Sequence, residues 1–181
     1  KEPRPMVIKR PGSSKRLANL VFDIRQFLSP YTPVKLKELR KNTLQDFLQA
    51  GRVLGMTHLI ILSESPAGSF MRIVKSPMGP TFTFKLRDYN LLREVIEKQV
   101  SRPNWKPDTN SPAVLVMKGL NKSLAHHQLV STLFQGLFKN STLDQMHSRD
   151  FKRLALLTRN SSSQQFTLRQ YITRQMPPSV R

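Results

Sequence analysis

A chain of 181 residues with 30 Lys and Arg against 11 Asp and Glu carries a formal net charge of +19 at pH 7, and it contains no cysteine. Disulfide frameworks, thiolate zinc sites and cysteine nucleophiles are therefore excluded, and no run of about 18 apolar residues is present to span a bilayer. The length suits one domain burying roughly 70% of its unfolded surface, and a charge this one-sided, beyond what solubility requires, points to a polyanionic partner, nucleic acid first.

Lys1, where an initiator methionine would stand, reads as the start of a trimmed piece of a longer chain. Residues 6–8, "MVI", are a short apolar segment, and the loop "PGSSKR" offers Ser13 or Ser14 as a helix cap. Leu17, Leu20, Val21, Ile24 and Leu28 then recur on one stripe with a period of about 3.6 residues, which predicts a helix; "SPYTP", with Pro30 and Pro33, ends it. Thr43 and Asp46 are spaced as a capping box before a short helix carrying Leu44, Phe47 and Leu48, with Gly51 as its stop. "THLIILSES" from Thr57 is a nearly continuous apolar run, the pattern of a strand covered on both faces, and "PAGS" turns it into "FMRIVKS".

In "SPMGPTFTF", residues 76–84, Ser76, Pro77 and Gly79 suit a type I turn, and Pro80, with no N–H to donate, suits a strand's first residue. Phe82, Phe84 and Leu86 alternate with Thr81, Thr83, Lys85 and Arg87, so this strand has an apolar side and a cationic side. The three strands form a meander. A helix over residues 90–100 follows, with Leu92, Val95 and Ile96 inward and Glu94 and Lys98 as an i,i+4 pair. "SRPNWKPDTNSP", residues 101–112, has three prolines and no periodicity and reads as a linker. "AVLVMKG" is a buried strand, Ser123 a cap, and Leu129, Val130, Leu133, Phe134, Leu137 and Phe138 a wide apolar helical stripe; "FKRLALLTR" and "QFTLRQYIT" pair across "NSSSQ" as a hairpin. Each half thus carries an amphipathic helix and then a hairpin. That order favours an internal duplication in an α/β fold: a single domain over residues 1–181, with halves at about 6–100 and 113–175.

Catalysis finds little support. Adjacent His126 and His127 point about 100° apart on a helix and cannot share a metal as an i,i+4 pair does, so they read as surface or cap positions. His58 opens an apolar strand and reads as a structural imidazole; His147 is the fourth histidine. The carboxylates are scattered, and Walker, Gly-x-Ser-x-Gly and Gly-x-Gly-x-x-Gly patterns are missing. No metal, cofactor, small-molecule substrate or membrane partner is expected. For binding, the densest basic phrase is "KLKELRK", with Lys35, Lys37, Arg40 and Lys41; Lys9, Arg10, Lys15 and Arg16 lie in the same amino-terminal region. A second group is Arg149, Lys152 and Arg153, with Arg169 and Tyr171 on the polar face of the last strand, where Tyr171 either stacks a base or simply packs. Such patches neutralise phosphates and so give affinity without sequence preference.

"GPTFTFKLRDY" preceded by "THLIILS", the early "LANLVFDIRQFLSPYTPVKLKELRKNTLQDF" and the late "STLFQGLF" together resemble the Brix domain of ribosome assembly factors, and within that family the Peter Pan (Ssf) subgroup, over residues 6–172. The resemblance implies a duplicated α/β fold similar to anticodon-binding domains. It also implies binding of pre-ribosomal RNA, other assembly factors and ribosomal proteins in the nucleolus, without catalysis, during large (60S) subunit biogenesis. By the same resemblance Lys35, Lys37, Arg40 and Lys41 are the leading RNA contacts, and Gly79, Pro80 and Thr81 are structural markers. The competing readings are a protein-interaction scaffold whose charge meets acidic proteins, a small-subunit processome factor of the same family, and an RNA-processing enzyme.

Overall fold

The computed structural model describes residues 2–39, 42–99, 110–121, 123–138 and 152–173. In chain order they form β1 (Pro5–Lys9), α1 (Lys15–Phe27), α2 (Leu44–Val53), β2 (His58–Ser65), β3 (Gly68–Lys75), β4 (Thr81–Leu86), α3 (Leu92–Lys98), β5 (Ala113–Lys118), α4 (Ala125–Leu137), β6 (Arg153–Arg159) and β7 (Phe166–Ile172). The strands make two sheets, ordered β1-β2-β3-β4 and β5-β6-β7. In each sheet the first strand runs parallel to the second and the second antiparallel to the third. A parallel pair needs a long crossover; α1 lies in the first, with α2 as an added helix, and α4 lies in the second. The unit β-α-β-β therefore occurs twice, as the echo between the halves predicts.

Local chemistry sets the helix starts. Ser14 Oγ accepts from Leu17 N at 3.2 Å and caps α1. At α2 the capping box is complete: Thr43 Oγ1 accepts from Asp46 N at 3.3 Å, and the Asp46 carboxylate accepts from Thr43 N at 2.8 Å. Those bonds hold the Asp46 carboxyl below its usual range.

The buried stripe of α1, with Leu17, Leu20 and Val21, meets Val7, Ile60, Leu62 and Ile73 on one face of the first sheet. Val130, Leu133, Phe134 and Leu137 of α4 and Ala155 and Leu157 of β6 join the same cluster, so the two halves share one core. The opposite face of β1 and β2 carries Met6, Ile8, Leu59 and Ile61, which pack with Met56 and with Phe47 and Leu48 of α2. Cover on both faces is what a run as apolar as β2 requires. Each such side chain taken from water stabilises by roughly 1.5–3 kcal/mol. On β4, Phe82, Phe84 and Leu86 lean on the shared core while Thr81, Thr83 and Lys85 stay exposed. Phe84 sets its ring edge-on to Phe134 of α4 and Phe166 of β7, so the apolar side of this strand joins the two halves.

Several local details depart from the sequence reading. Gly51 lies inside α2 rather than at its end, and its missing side chain makes room for Met56, whose Cε would lie 2.6 Å from a Cβ there; the left-handed residue after the helix is Gly55, with φ of 67°. Val95 is exposed, and the i,i+4 ion pair of α3 is Arg93–Glu97, since Glu94 turns to Arg16 instead. Ser123 does not cap α4, which has no side-chain cap, and Leu129 stands off the buried stripe. The Ser76–Pro77 peptide is cis. Lys75 N donates to Pro80 O at 3.3 Å across that connection, and Gly79 leaves room for Lys75, whose Cβ lies 2.7 Å from where a Cβ on Gly79 would sit. Of the linker over 101–112, residues 101–109 lie outside the described residues.

Candidate nucleic-acid interface

Residues 34–39 alternate as a strand does. Lys35, Lys37 and Leu39 face solvent, Leu36 packs on the second core, and Glu38 turns inward to the Arg25 guanidinium. Arg25 is buried and donates to Val7 O at 3.0 and 2.8 Å and to Leu36 O at 3.1 Å. One buried arginine thus pins this loop against β1, and the period of two leaves Lys35 and Lys37 pointing out.

Lys9 closes β1 beside this loop and Arg10 follows it. A cleft of about 260 Å³ opens there between α2 and the outer face of the first sheet, lined among others by Lys9, Arg10, Asn42, Phe47 and Arg72. Arg72 comes from β3, and its Nε donates to Thr83 Oγ1 across the ladder at 3.3 Å. Phe70, two residues earlier on the same face, stands opposite Lys85 of β4. Gly68 makes space for that lysine, since a Cβ there would lie 3.2 Å from Lys85 Cε. Lys9, Arg10, Arg72 and Lys85 therefore run from the cleft onto the open face of β3 and β4.

Several carboxylates of the described residues are already engaged. Glu64 accepts from Ser14 N at 2.8 Å, which holds its carboxyl below the usual range. Asp46 is committed to the α2 cap, and Asp23 accepts from Leu92 N at 2.9 Å while burial pushes its carboxyl up. The ion pairs among the described residues are Arg16–Glu94, Arg25–Glu38 and Arg93–Glu97; none engages Lys9, Arg10, Lys35, Lys37, Arg72 or Lys85. Glu38, the acid beside them, is taken up by the Arg25 guanidinium and by Lys9 N at 3.2 Å, and cations gathered where the neighbouring acids are so engaged raise the potential over that surface and draw in anions.

The other basic residues singled out by the sequence fall differently. Lys15 is exposed at the start of α1. Arg16 pairs with Glu94 at 3.1 Å and lies 5.2 Å from the Tyr89 ring centroid, tying α1 to α3. Lys152 is exposed just before β6, and Arg169 and Tyr171 are exposed on β7, opposite Leu156 and Leu154. Arg40, Lys41 and Arg149 lie outside the described residues. Arg153 corrects the expectation of a phosphate contact: it is 1% exposed, and its guanidinium donates to Ser111 O at 2.8 Å, to Gln26 O at 2.9 Å and to Ser29 O. It is a structural cation between the halves. Arg72 and Phe70 are the residues that reading by phrase density misses. Strand alternation in "FMRIVKS", which puts Phe70 and Arg72 on one face and Met71 and Ile73 on the other, was the signal for them.

Two of the histidines among the described residues are buried in the packing. His58 is buried with Nδ1 3.0 Å from Thr57 Oγ1, and burial, with Lys75 nearby, lowers its pKa to about 4. His127, expected at the surface, is buried on the inner stripe of α4, and its Nδ1 accepts from Asn121 N at 3.1 Å. Its pKa is also lowered, by burial and then by Arg159 and His126. His147 lies outside the described residues. Among the described residues no group of three or more His, Cys, Asp or Glu is placed to hold a metal, and no helix is long and apolar enough to cross a membrane.

The Peter Pan-like protein of Arabidopsis thaliana is 32% identical over 181 residues, covering 99% of this chain and 52% of that protein. The ribosome biogenesis protein SSF2 of Saccharomyces cerevisiae is 31% identical over 185 residues, 93% of this chain and 41% of that protein. The protein Peter pan of Drosophila melanogaster is 24% identical over 179 residues, 99% of this chain and 39% of that protein. The chain thus spans about half or less of the length of these curated relatives. A crystal structure of a probable ribosomal biogenesis protein from Aeropyrum pernix K1 matches with a TM-score of 0.60 over 94% of this chain and 89% of that one; at 13% identity the likeness is one of fold. The family description Brix domain matches residues 10–180, and with the duplicated β-α-β-β units and the Peter Pan relatives on either side of it, the chain belongs to the Brix domain family.

Proposed function

We propose that this domain is a non-catalytic ribosome assembly factor that binds pre-ribosomal RNA through the cationic face of its first half, while other surfaces engage assembly factors and ribosomal proteins on large-subunit precursors in the nucleolus. One observation carries the reading: among the described residues Lys9, Arg10, Arg72 and Lys85, with Lys35 and Lys37 beside them, form no ion pair, while neighbouring carboxylates are taken up in caps and internal pairs. Each phosphate neutralised there releases counterions, so binding is strong at low salt and falls steeply as salt rises. The names of the relatives, Peter Pan-like and ribosome biogenesis protein, support the ribosomal setting. Replacing Lys9, Arg10, Arg72 and Lys85 by Glu is expected to weaken RNA binding and to flatten the slope of log affinity against log salt by about one for each phosphate no longer neutralised. Affinity and slope both unchanged would reject the assignment.

A protein-scaffold reading has its own observation. On the outer face of the second sheet, Val116 and Tyr171 are exposed, and Val114, Leu154 and Leu156 beside them belong to neither core. A partner retained after ribonuclease treatment but released by Val116→Lys with Leu156→Lys would move the emphasis to that face.

A further inference from the structure

Three phenylalanines stand in the first sheet, and one is set apart from the other two. Phe82 and Phe84 lean on the shared core, whereas Phe70 belongs to neither core cluster. It is half-buried, so the sheet supports its ring, yet among the described residues no aromatic ring or guanidinium stacks on it. Gly68 and Arg72 flank it along β3, Lys85 stands opposite, and the neighbouring outward positions Thr81 and Thr83 are exposed. A supported ring with an open side, set between two cations that have no carboxylate partner among the described residues, matches a ligand that is both planar and anionic.

We propose that Phe70, Arg72 and Lys85 form a subsite for an unpaired nucleotide of single-stranded RNA, the ring stacking on the base and the two cations holding the adjacent phosphates. This deepens the RNA reading above and rests on it. Stacking is open to any base because each has a π-face, and in an A-form duplex the base faces are already covered by their neighbours. The subsite therefore selects unpaired RNA over duplex without reading sequence, while Arg72 and Lys85 add the salt-dependent part.

The full chain is titrated with a single-stranded oligoadenylate, whose bases are unpaired, and with an RNA duplex at the same salt. Phe70→Leu is expected to lose about tenfold in affinity for the oligoadenylate, with the duplex and both salt slopes unchanged, and Phe70→Tyr to retain wild-type affinity. Arg72→Gln with Lys85→Gln should flatten the slope for the oligoadenylate. The subsite is overturned if Phe70→Leu leaves oligoadenylate binding intact, if it weakens the duplex equally, or if Phe70→Tyr is as weak as Phe70→Leu. Failure of the broader reading looks different, since the Glu variants of Lys9, Arg10, Arg72 and Lys85 would then leave both RNAs unaffected. Unfolding midpoints of the Phe70 variants guard against loss of fold, and a ring outside both cores is expected to leave them near wild type.

Discussion

Arg153 and His58 are both buried ionisable side chains, and the fold treats them in opposite ways. A guanidinium does not give up its charge, so Arg153 is accommodated by carbonyl oxygens of Ser111, Gln26 and Ser29, two of them in the first half of the chain. Arg153→Leu strips donors from those oxygens and is expected to destabilise by about 3 kcal/mol in urea unfolding. The salt slope of RNA binding should stay at its wild-type value; a slope lowered by about one would instead make the residue a phosphate contact. His58 is kept neutral. Its pKa falls from 6.5 to about 4, by burial first and Lys75 second, so below pH 6.5 the unfolded chain takes up a proton that the folded chain refuses. This contribution is whole above pH 6.5, is lost progressively as pH falls, and stops changing below about 4. Urea midpoints at pH 7 and pH 5 should therefore differ less in His58→Leu than in the wild type. His127, also depressed, keeps its share in both, and an equal pH dependence would show that His58 carries none.

At the scale of elements, what was legible in the sequence is what a single period controls. The stripe of α1 and the alternation of β4 each reflect one buried face, and the capping box of α2 is a purely local pair, so each matches its expectation. The continuous apolar run of β2 correctly signals cover on both faces. Misreadings arise where a distant neighbour decides. Gly51 has the look of a stop, but Met56 needs the space its missing side chain leaves. Glu94 is well spaced for Lys98, yet Arg16 from another helix takes it. The placement of the candidate residues was legible only in part: Lys9 and Arg10 line the cleft, while Arg153 lies inside because it shares an alternation with Ala155 and Leu157, both buried. His127 follows the same logic, recurring with Val130, Phe134 and Leu137 on the inner stripe of α4. Charge density along a phrase counts cations, whereas the face each residue occupies decides which of them reach solvent.

The whole molecule joins two similar units through one core rather than through a surface contact. Phe27 meets Phe138 edge-on with centroids 5.6 Å apart, Phe84 meets both Phe134 and Phe166 at 6.1 Å, and Arg153 crosses to Gln26 and Ser29. Gly136 of α4 lies against His58 of β2, and an added Cβ would fall 2.7 Å from the imidazole Cε1. Neither half can expose its side of this core without leaving the other half's side uncovered, so opening one removes the support of the other. Phe84→Ala tests this directly, because it deletes a ring of the first sheet whose edge-on partners, Phe134 of α4 and Phe166 of β7, both belong to the second unit. The destabilisation is expected to be about 3 kcal/mol. In a molecule with one core it lowers the amide hydrogen-exchange protection of β2 and of β6 by the same amount, within a single denaturant transition. If β6 kept its protection while β2 lost it, the halves would be separate folding units, and the cationic face would be carried by the first half alone.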